Sequence, residues 1–145
     1  MANCKVCGAP GWFFLLAKTG LCANCGRMVA MEVSQRASDI ETASRRVNDT
    51  LNPDSKIAGL DVVASNLEVL SRYESKGIPT LTESPTARLE ATRSDLKEFI
   101  LSTARQELEA LVGRVSAATD AQRKRRLYSD FLLKLADYRR RVGSQ

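Results

Sequence analysis

The amino-acid sequence predicts a mainly α-helical protein with a small β-hairpin at its N-terminus and three or four helices after it. Three observations support this fold class. All four cysteines lie within the first 25 of the 145 residues, an apolar run separates the two cysteine pairs, and apolar residues then recur at helical spacing along the rest of the chain. Because 43% of the residues are apolar, the chain has enough apolar side chains for a core.

The cysteine pattern is C-x2-C-x14-C-x2-C, formed by Cys4, Cys7, Cys22 and Cys25. This spacing is typical of a four-cysteine zinc site, because a turn of two residues directs both sulfurs of a pair toward one ion. Four thiolates complete the tetrahedral coordination of Zn2+ and leave no position for water, so the pattern predicts one structural zinc ion. We expect the glycine after each pair, Gly8 or Gly26, to adopt a positive φ at the turn. Iron–sulfur ligation is an alternative that the residue types leave open.

Residues 4–26 resemble the four-cysteine zinc-ribbon and treble-clef modules found at the start of many bacterial and phage proteins. The resemblance rests on the two cysteine pairs and the glycines that follow them, and it covers only this N-terminal segment. It implies a structural metal site. Relatives of this kind bind nucleic acid, bind proteins or hold a chain terminus in place, so the resemblance implies no single function.

The segment between the cysteine pairs predicts one strand, a turn at residues 18–20 and a short return strand, which together make a zinc-bound β-hairpin. The run Trp12–Leu16 is apolar on both faces of such a strand. We therefore expect one face to pack against the zinc-binding turns and the other against a helix. The alternative is that Trp12 and Phe13 protrude and anchor a protein partner.

Two helices are predicted after the second cysteine pair, joined by a short turn at Asn52-Pro53 and therefore antiparallel. The first spans about seven turns, begins at or just after the second pair, and directs one face inward: Val33, Ala37, Ile40, Ser44, Val47 and Leu51. The second ends near Gly77 and has its own apolar face: Ile57, Leu60, Val63, Leu67, Leu70 and Tyr73.

A connector over residues 78–84 separates this pair from a longer helical region that begins at Ser84-Pro85. Its first stripe comprises Leu89, Leu96, Ile100, Thr103, Leu108, Leu111 and Val115. A second stripe, after a break near Gly113–Asp120 where Thr119 or Asp120 caps a fourth helix, comprises Leu127, Tyr128, Phe131, Leu135, Tyr138 and Val142. One continuous helix over residues 85–142 is the alternative.

Positive charge is concentrated at the two ends of the chain. The formal net charge is +5, to which residues 1–30 contribute +3, residues 31–120 contribute −4 and residues 121–145 contribute +6. We predict three corresponding segments: a zinc-binding hairpin module, a helical body and a basic C-terminal helix. Basic clusters attract phosphates or an acidic protein surface. The candidate contacts are Lys5, Lys18, Arg27, Arg123, Lys124, Arg125, Arg126, Arg139, Arg140 and Arg141.

The sequence argues against catalysis and against a membrane segment. It has no histidine, no glycine-rich phosphate loop and no nucleophile elbow, and all its cysteines are assigned to metal. The longest apolar run, Trp12–Ala17, is far shorter than the ~20 residues of a membrane-spanning helix, and the N-terminus lacks the features of a signal peptide. We expect a cytoplasmic protein, because paired cysteines in a reducing compartment bind metal more often than they form disulfides.

These observations predict a non-catalytic, zinc-stapled helical binding module that acts in a protein–protein assembly as a structural or adaptor subunit. The aromatic hairpin and the basic ends are the expected contact surfaces, and a homo-oligomer is compatible with the pattern. The alternative function is a small zinc-ribbon regulator that binds DNA or RNA through its basic ends.

Overall fold

The computed structural model describes residues 2–11 and 18–143. Four α-helices follow one another along the chain: α1 (Ala23–Asp49), α2 (Pro53–Ser75), α3 (Pro85–Ala117) and α4 (Ala121–Gly143). The predicted mainly helical class is confirmed, and residues 85–142 form two helices rather than one. The predicted hairpin falls largely on residues 12–17, outside the described residues. Within the described ranges there is no strand, and Asn3 and Pro10 form an isolated antiparallel bridge.

The beginnings of the last three helices follow from side chains that cap them. Asn52, Ser84 and Asp120 each accept a hydrogen bond from the backbone N–H three residues later, at 3.1, 3.3 and 2.8 Å respectively. Each cap satisfies an N–H that has no partner inside the helix. At the other end of α2, Gly77 adopts a φ of +66° that favours glycine, and the helix stops there as predicted.

Helices α1 and α2 form an antiparallel pair. The hydroxyl of Tyr73, near the end of α2, donates a hydrogen bond to Glu32 near the start of α1. At the opposite end of the pair, Gly59 lies against Val47. Because residue numbers rise along α1 as they fall along α2, the helices run in opposite directions, which is the arrangement that the short turn between them predicts.

The chain divides into two compact units, Met1–Thr92 and Arg93–Gln145. The first contains α1, α2 and the start of α3, and its main apolar core comprises Ile40, Ala43, Val63, Ala64, Leu67, Leu70 and Leu89. The second contains the rest of α3 and α4, which are joined by an ion pair between Lys134 and Glu107 at 2.5 Å. Its buried residues are Leu96, Ile100, Thr103, Ala104, Leu111, Leu127 and Tyr138.

Two positions predicted on apolar faces are exposed instead. Leu51 follows the end of α1 and is 97% exposed, because the helix stops at Asp49 before another turn forms. Tyr128 is 56% exposed, because it lies about 100° around α4 from the buried Leu127. Small and polar residues that the periodicity did not single out are buried: Ala43, Ala64, Asn66 and Ala104.

Candidate metal centre

The two cysteine pairs form similar turns at the ends of the intervening loop. In each, the glycine that follows the second cysteine donates its N–H to the carbonyl of the first, from Gly8 to Cys4 at 2.9 Å and from Gly26 to Cys22 at 2.8 Å. Gly8 has the predicted positive φ of +72°. The same prediction is wrong for Gly26, because helix α1 begins at Ala23 and includes it with an ordinary helical backbone.

The two turns bring all four sulfurs together. The Sγ atoms of Cys4, Cys7, Cys22 and Cys25 lie within 4.8 Å of one another, and all four are free thiols. The Cys7 and Cys22 sulfurs are 3.9 Å apart. In a tetrahedral site with metal–sulfur distances of about 2.3 Å, sulfurs are separated by about 3.8 Å, so this group could hold a metal ion.

Two backbone N–H groups point at sulfurs of this group. The N–H of Cys22 donates to Cys4 Sγ at 3.4 Å, and the N–H of Cys25 donates to Cys22 Sγ at 3.5 Å. The second of these bonds makes Cys22 the N-cap of α1, so the start of the helix and one turn of the site are the same structure.

The pKa values of two of the four thiols are shifted in opposite directions. Hydrogen bonds from the backbone of Cys7, Cys22 and Val6 lower the pKa of the Cys4 thiol to about 6. The nearby side chains of Cys22 and Cys7, together with burial, raise the pKa of the Cys25 thiol to about 12. The Cys25 thiol therefore resists ionisation beside its neighbours, whereas a divalent ion at the centre of the group would favour the thiolate.

Apolar contacts attach the cysteine turns to the far end of the α1–α2 pair. The buried cluster around the sulfurs comprises Cys4, Leu21, Cys22, Cys25, Val29 and Ile78, with Val33 and Tyr73 packed against it. Ile78 is 2% exposed and belongs to the turn after α2, more than fifty residues beyond the last cysteine. Cys7 is the exposed member of the four cysteines. The site is therefore a junction between the N-terminal turns, the first turns of α1 and the α2–α3 turn.

Lys5 strengthens the same junction. Its Nζ donates a hydrogen bond to the carbonyl of Gly77 at 2.9 Å, and its backbone N–H donates to the carbonyl of Gly20 at 3.1 Å. A Cβ on Gly20 would come within 2.8 Å of the Lys5 side chain, and Gly20 has a φ of +75°. Glycine at this position lets the lysine stem lie across the turn toward α2.

The other residues singled out in the sequence lie in different places. Lys18 follows the gap in the described residues, and Arg27 lies on the outer surface of α1; both are exposed. Trp12 and Phe13 lie outside the described residues. The C-terminal candidates all lie on α4, where the exposed ones are Arg123, Lys124, Arg125, Arg126, Arg139 and Arg140. Arg141 is half-buried, pairs with Asp137 at 2.9 Å and lies over the ring of Tyr138.

Sequence reasoning missed two features of the surface and the junction. The sequence places Gly77 at a helix end and Ile78 in a connector. No local pattern links either residue to cysteines so far away in the chain. Exposed Tyr128 and Leu132 on α4 were not recognised as a surface feature. The sequence offered one indication of this surface: Leu132 is apolar but lies outside the predicted apolar face of the helix.

Comparisons with family models, with curated proteins and with solved structures give no match to this chain. The resemblance of residues 4–26 to zinc ribbons and treble clefs is therefore supported by the cysteine pattern and the sulfur cluster alone. Among the described residues, no helix is long and apolar enough to span a membrane.

Proposed function

We propose that this protein is a non-catalytic binding module in a protein–protein assembly, and that one structural zinc ion at the four cysteines holds its N-terminal region in place. The observation that carries the metal assignment is the group of four sulfurs within 4.8 Å of one another at the junction with α2. Thiols kept reduced in a cytoplasmic compartment would remain available to the ion.

Zinc accounts for the sulfur positions better than an iron–sulfur cluster. Sulfurs this close leave room for one ion at their centre, whereas a cluster of several irons would hold its thiolate ligands farther apart. Among single ions, zinc favours a closed tetrahedral site of four thiolates. Such a site has no open position for water, which supports a structural rather than a catalytic role.

The metal assignment is tested by replacing a ligand beside a matched control. We expect the purified chain to contain one zinc ion per molecule, and Cys22→Ser to bind zinc at least about tenfold more weakly, because one ligand and the N-cap of α1 are both altered. Ala23→Ser, at the next and exposed position, keeps all four thiols and should retain full zinc content. Elemental analysis and circular dichroism with and without chelator supply the measurements.

Three results would contradict this assignment. They are a chain without stoichiometric metal, iron in place of zinc, or circular dichroism and unfolding temperature that are identical with and without metal. Equal zinc content in Cys22→Ser and Ala23→Ser would also exclude these four sulfurs as the site.

Support for a binding role comes from side chains that the fold leaves on the surface. Met28 and Met31 on α1 are 62% and 74% exposed, and Tyr128 and Leu132 on α4 are 56% and 47% exposed. Exposed apolar side chains close together commonly mark contact surfaces for other proteins. The absence of histidine and the commitment of every cysteine to one closed metal site support a role without catalysis.

A nucleic-acid-binding regulator is the second candidate, favoured by the exposure of four consecutive basic residues, Arg123–Arg126, in the first turns of α4. Phosphate contacts of this kind weaken steeply as salt rises. Electrophoretic shifts with random duplex and single-stranded oligonucleotides at two salt concentrations test it. An absence of any shift at low salt would exclude it.

A further inference from the structure

One side of α4 combines exposed apolar and basic residues in a line. Arg125, Tyr128, Leu132 and Arg139 lie within about 60° of one another around the helix axis, and all four are exposed. We call this set the α4 stripe. Tyr128 is 56% and Leu132 is 47% exposed, so the middle of the stripe is apolar while both ends are arginine.

No acidic side chain lies on this side of α4. Its two acids, Asp130 and Asp137, lie roughly opposite the stripe, and Asp137 pairs with Arg140 at 2.6 Å and with Arg141 at 2.9 Å. The α4 segment carries eight basic residues against these two acids. On α4 itself, no carboxylate therefore offsets the arginines beside the apolar centre of the stripe, which fits a negatively charged partner.

The spacing of the stripe fits an elongated partner. Its residues are separated by three, four and seven positions, the spacing with which one helix contacts another along its length. From Arg125 to Arg139 the line extends about 21 Å at 1.5 Å per residue. The ring of Tyr128 stacks on that of Phe131, with centroids 6.4 Å apart and an angle of 17° between the planes. An aromatic side chain supported by a neighbouring ring suits an anchor position.

Two other occupants suit the stripe less well. A second copy that docked α4 against α4 would bring Arg125 and Arg139 against the same arginines. A nucleic acid would use the arginines and the tyrosine ring, but Leu132 would have no role in binding phosphate. An acidic amphipathic helix uses every residue of the stripe, with its apolar positions on Tyr128 and Leu132 and its carboxylates on the arginines.

We propose that the α4 stripe is the docking surface for an acidic amphipathic helix of a partner protein. The proposal rests on the protein-binding function above and specifies the surface and the chemistry of its partner. Each arginine can donate two parallel hydrogen bonds to one carboxylate, which fixes the register of the partner helix.

The test uses the full-length, zinc-loaded chain and designed helical peptides as probes. One peptide carries leucines at helical spacing flanked by glutamates, and a second has the same leucines flanked by lysines. Fluorescence anisotropy at low salt should detect binding of the glutamate peptide only. Arg125→Glu and Leu132→Ala should each weaken this binding by about tenfold or more, because charge and apolar contact are lost separately.

The neighbouring residues provide matched controls. Arg126 and Leu133 are exposed on α4 but lie about 100° around the helix from Arg125 and Leu132. Arg126→Glu and Leu133→Ala should change the affinity less than about twofold. Circular dichroism of all four variants should match the unaltered chain, since each position is exposed.

Several outcomes would overturn the assignment: no binding of the glutamate peptide, equal binding of both peptides, or equal losses in the stripe and control variants. Tighter binding of a single-stranded oligonucleotide that Arg125→Glu abolishes would assign the stripe to nucleic acid instead. A native partner protein captured equally well by Arg125→Glu and by the unaltered chain would overturn the stripe while leaving the protein-binding function standing. Failure to bind any protein would contradict the function itself.

Discussion

Glycine at position 59 has a different physical role from glycine at position 113, although both lie inside helices. A Cβ on Gly59 would lie 2.4 Å from Val47 Cγ2, so the α1–α2 pair packs closely because this position has no side chain. A Cβ on Gly113 would meet nothing within 4 Å. At position 113 glycine contributes only backbone freedom, which lowers the stability of a helix.

The two alanine substitutions should therefore change stability in opposite directions. We expect Gly59→Ala to lower the free energy of unfolding by about 1–3 kcal/mol, because α2 or Val47 must shift to accept the methyl group. We expect Gly113→Ala to raise it by roughly 0.5–1 kcal/mol, because the unfolded chain loses freedom and nothing is displaced. Urea unfolding followed by circular dichroism measures both. A Gly59→Ala variant more stable than the unaltered chain would contradict this prediction, because it would mean that α1 and α2 accept the methyl group without loss of packing energy.

The structural role of a residue was predictable from the sequence where its side-chain chemistry determines that role. It was not predictable where the role depends on where a neighbouring helix begins or ends. The spacing of the four cysteines predicts that their thiols meet at one point, and the structure places the four sulfurs within 4.8 Å of one another. The positive φ expected at Gly26 is absent because α1 begins inside the second cysteine pair. The burial expected for Leu51 fails because its helix stops two residues earlier.

Between the elements, Glu74 joins the end of α2 to the start of α3. Its Oε2 atom accepts a hydrogen bond from the backbone N–H of Thr86 at 3.0 Å and another from the Thr86 hydroxyl. Together with the Ser84 hydroxyl, these donors hold the pKa of Glu74 below its ordinary value of 4.5. The ionised form of Glu74 is thus more stable in the folded chain than in the unfolded chain.

This shift predicts a pH-dependent contribution to stability. Because the folded-state pKa is the lower one, the contribution is complete above about pH 5 and is lost as the pH falls through that lowered pKa. We expect Glu74→Gln to be less stable than the unaltered chain at neutral pH, with the difference closing below pH 4.5. Thermal unfolding of both proteins across this range, in the presence and absence of Thr86→Val, measures the effect. A difference that stays constant with pH, or that Thr86→Val leaves unchanged, would contradict it.

The positions of the helices were accessible from the sequence because their ends carry local capping residues. Asn52, Ser84 and Asp120 cap the helices that follow them. The orientation of α4 was only partly accessible. Its apolar residues extend farther around the helix than its packed face, so periodicity assigned Tyr128 to the interior although it is exposed.

Over the whole molecule, contacts between distant parts of the sequence could not be predicted. The hydrogen bond from Lys5 to Gly77 joins residues 72 positions apart, and Ile78 shares one apolar cluster with Cys4, Cys22 and Cys25. No local propensity encodes such a pairing. It depends on the α1–α2 pair first returning the chain to the N-terminal end of α1, which places the α2–α3 turn beside the cysteine turns.

This arrangement predicts that metal removal affects a segment far from the cysteines in sequence. When the proposed zinc ion is removed, we expect amide hydrogen exchange to accelerate by about tenfold or more at residues 76–78 as well as at the cysteine turns, because the sulfur cluster is the packing partner of Ile78. Leu67, which is fully buried in the separate α1–α2 core, should keep slow exchange. Mass spectrometry of exchanged peptides with and without chelator measures both regions.

The Lys5→Met variant distinguishes the contribution of the metal at this junction from that of the lysine hydrogen bond. The substitution keeps a long apolar stem over Gly20 and all four thiols but removes the donor to Gly77. We expect full zinc content and a smaller acceleration at residues 76–78 than chelation causes, because the apolar cluster around Ile78 stays assembled. If chelation accelerates exchange only before residue 30, the metal organises the N-terminal turns alone and the packing of Ile78 persists without them. If Lys5→Met alone equals chelation, the hydrogen bond rather than the ion maintains the junction.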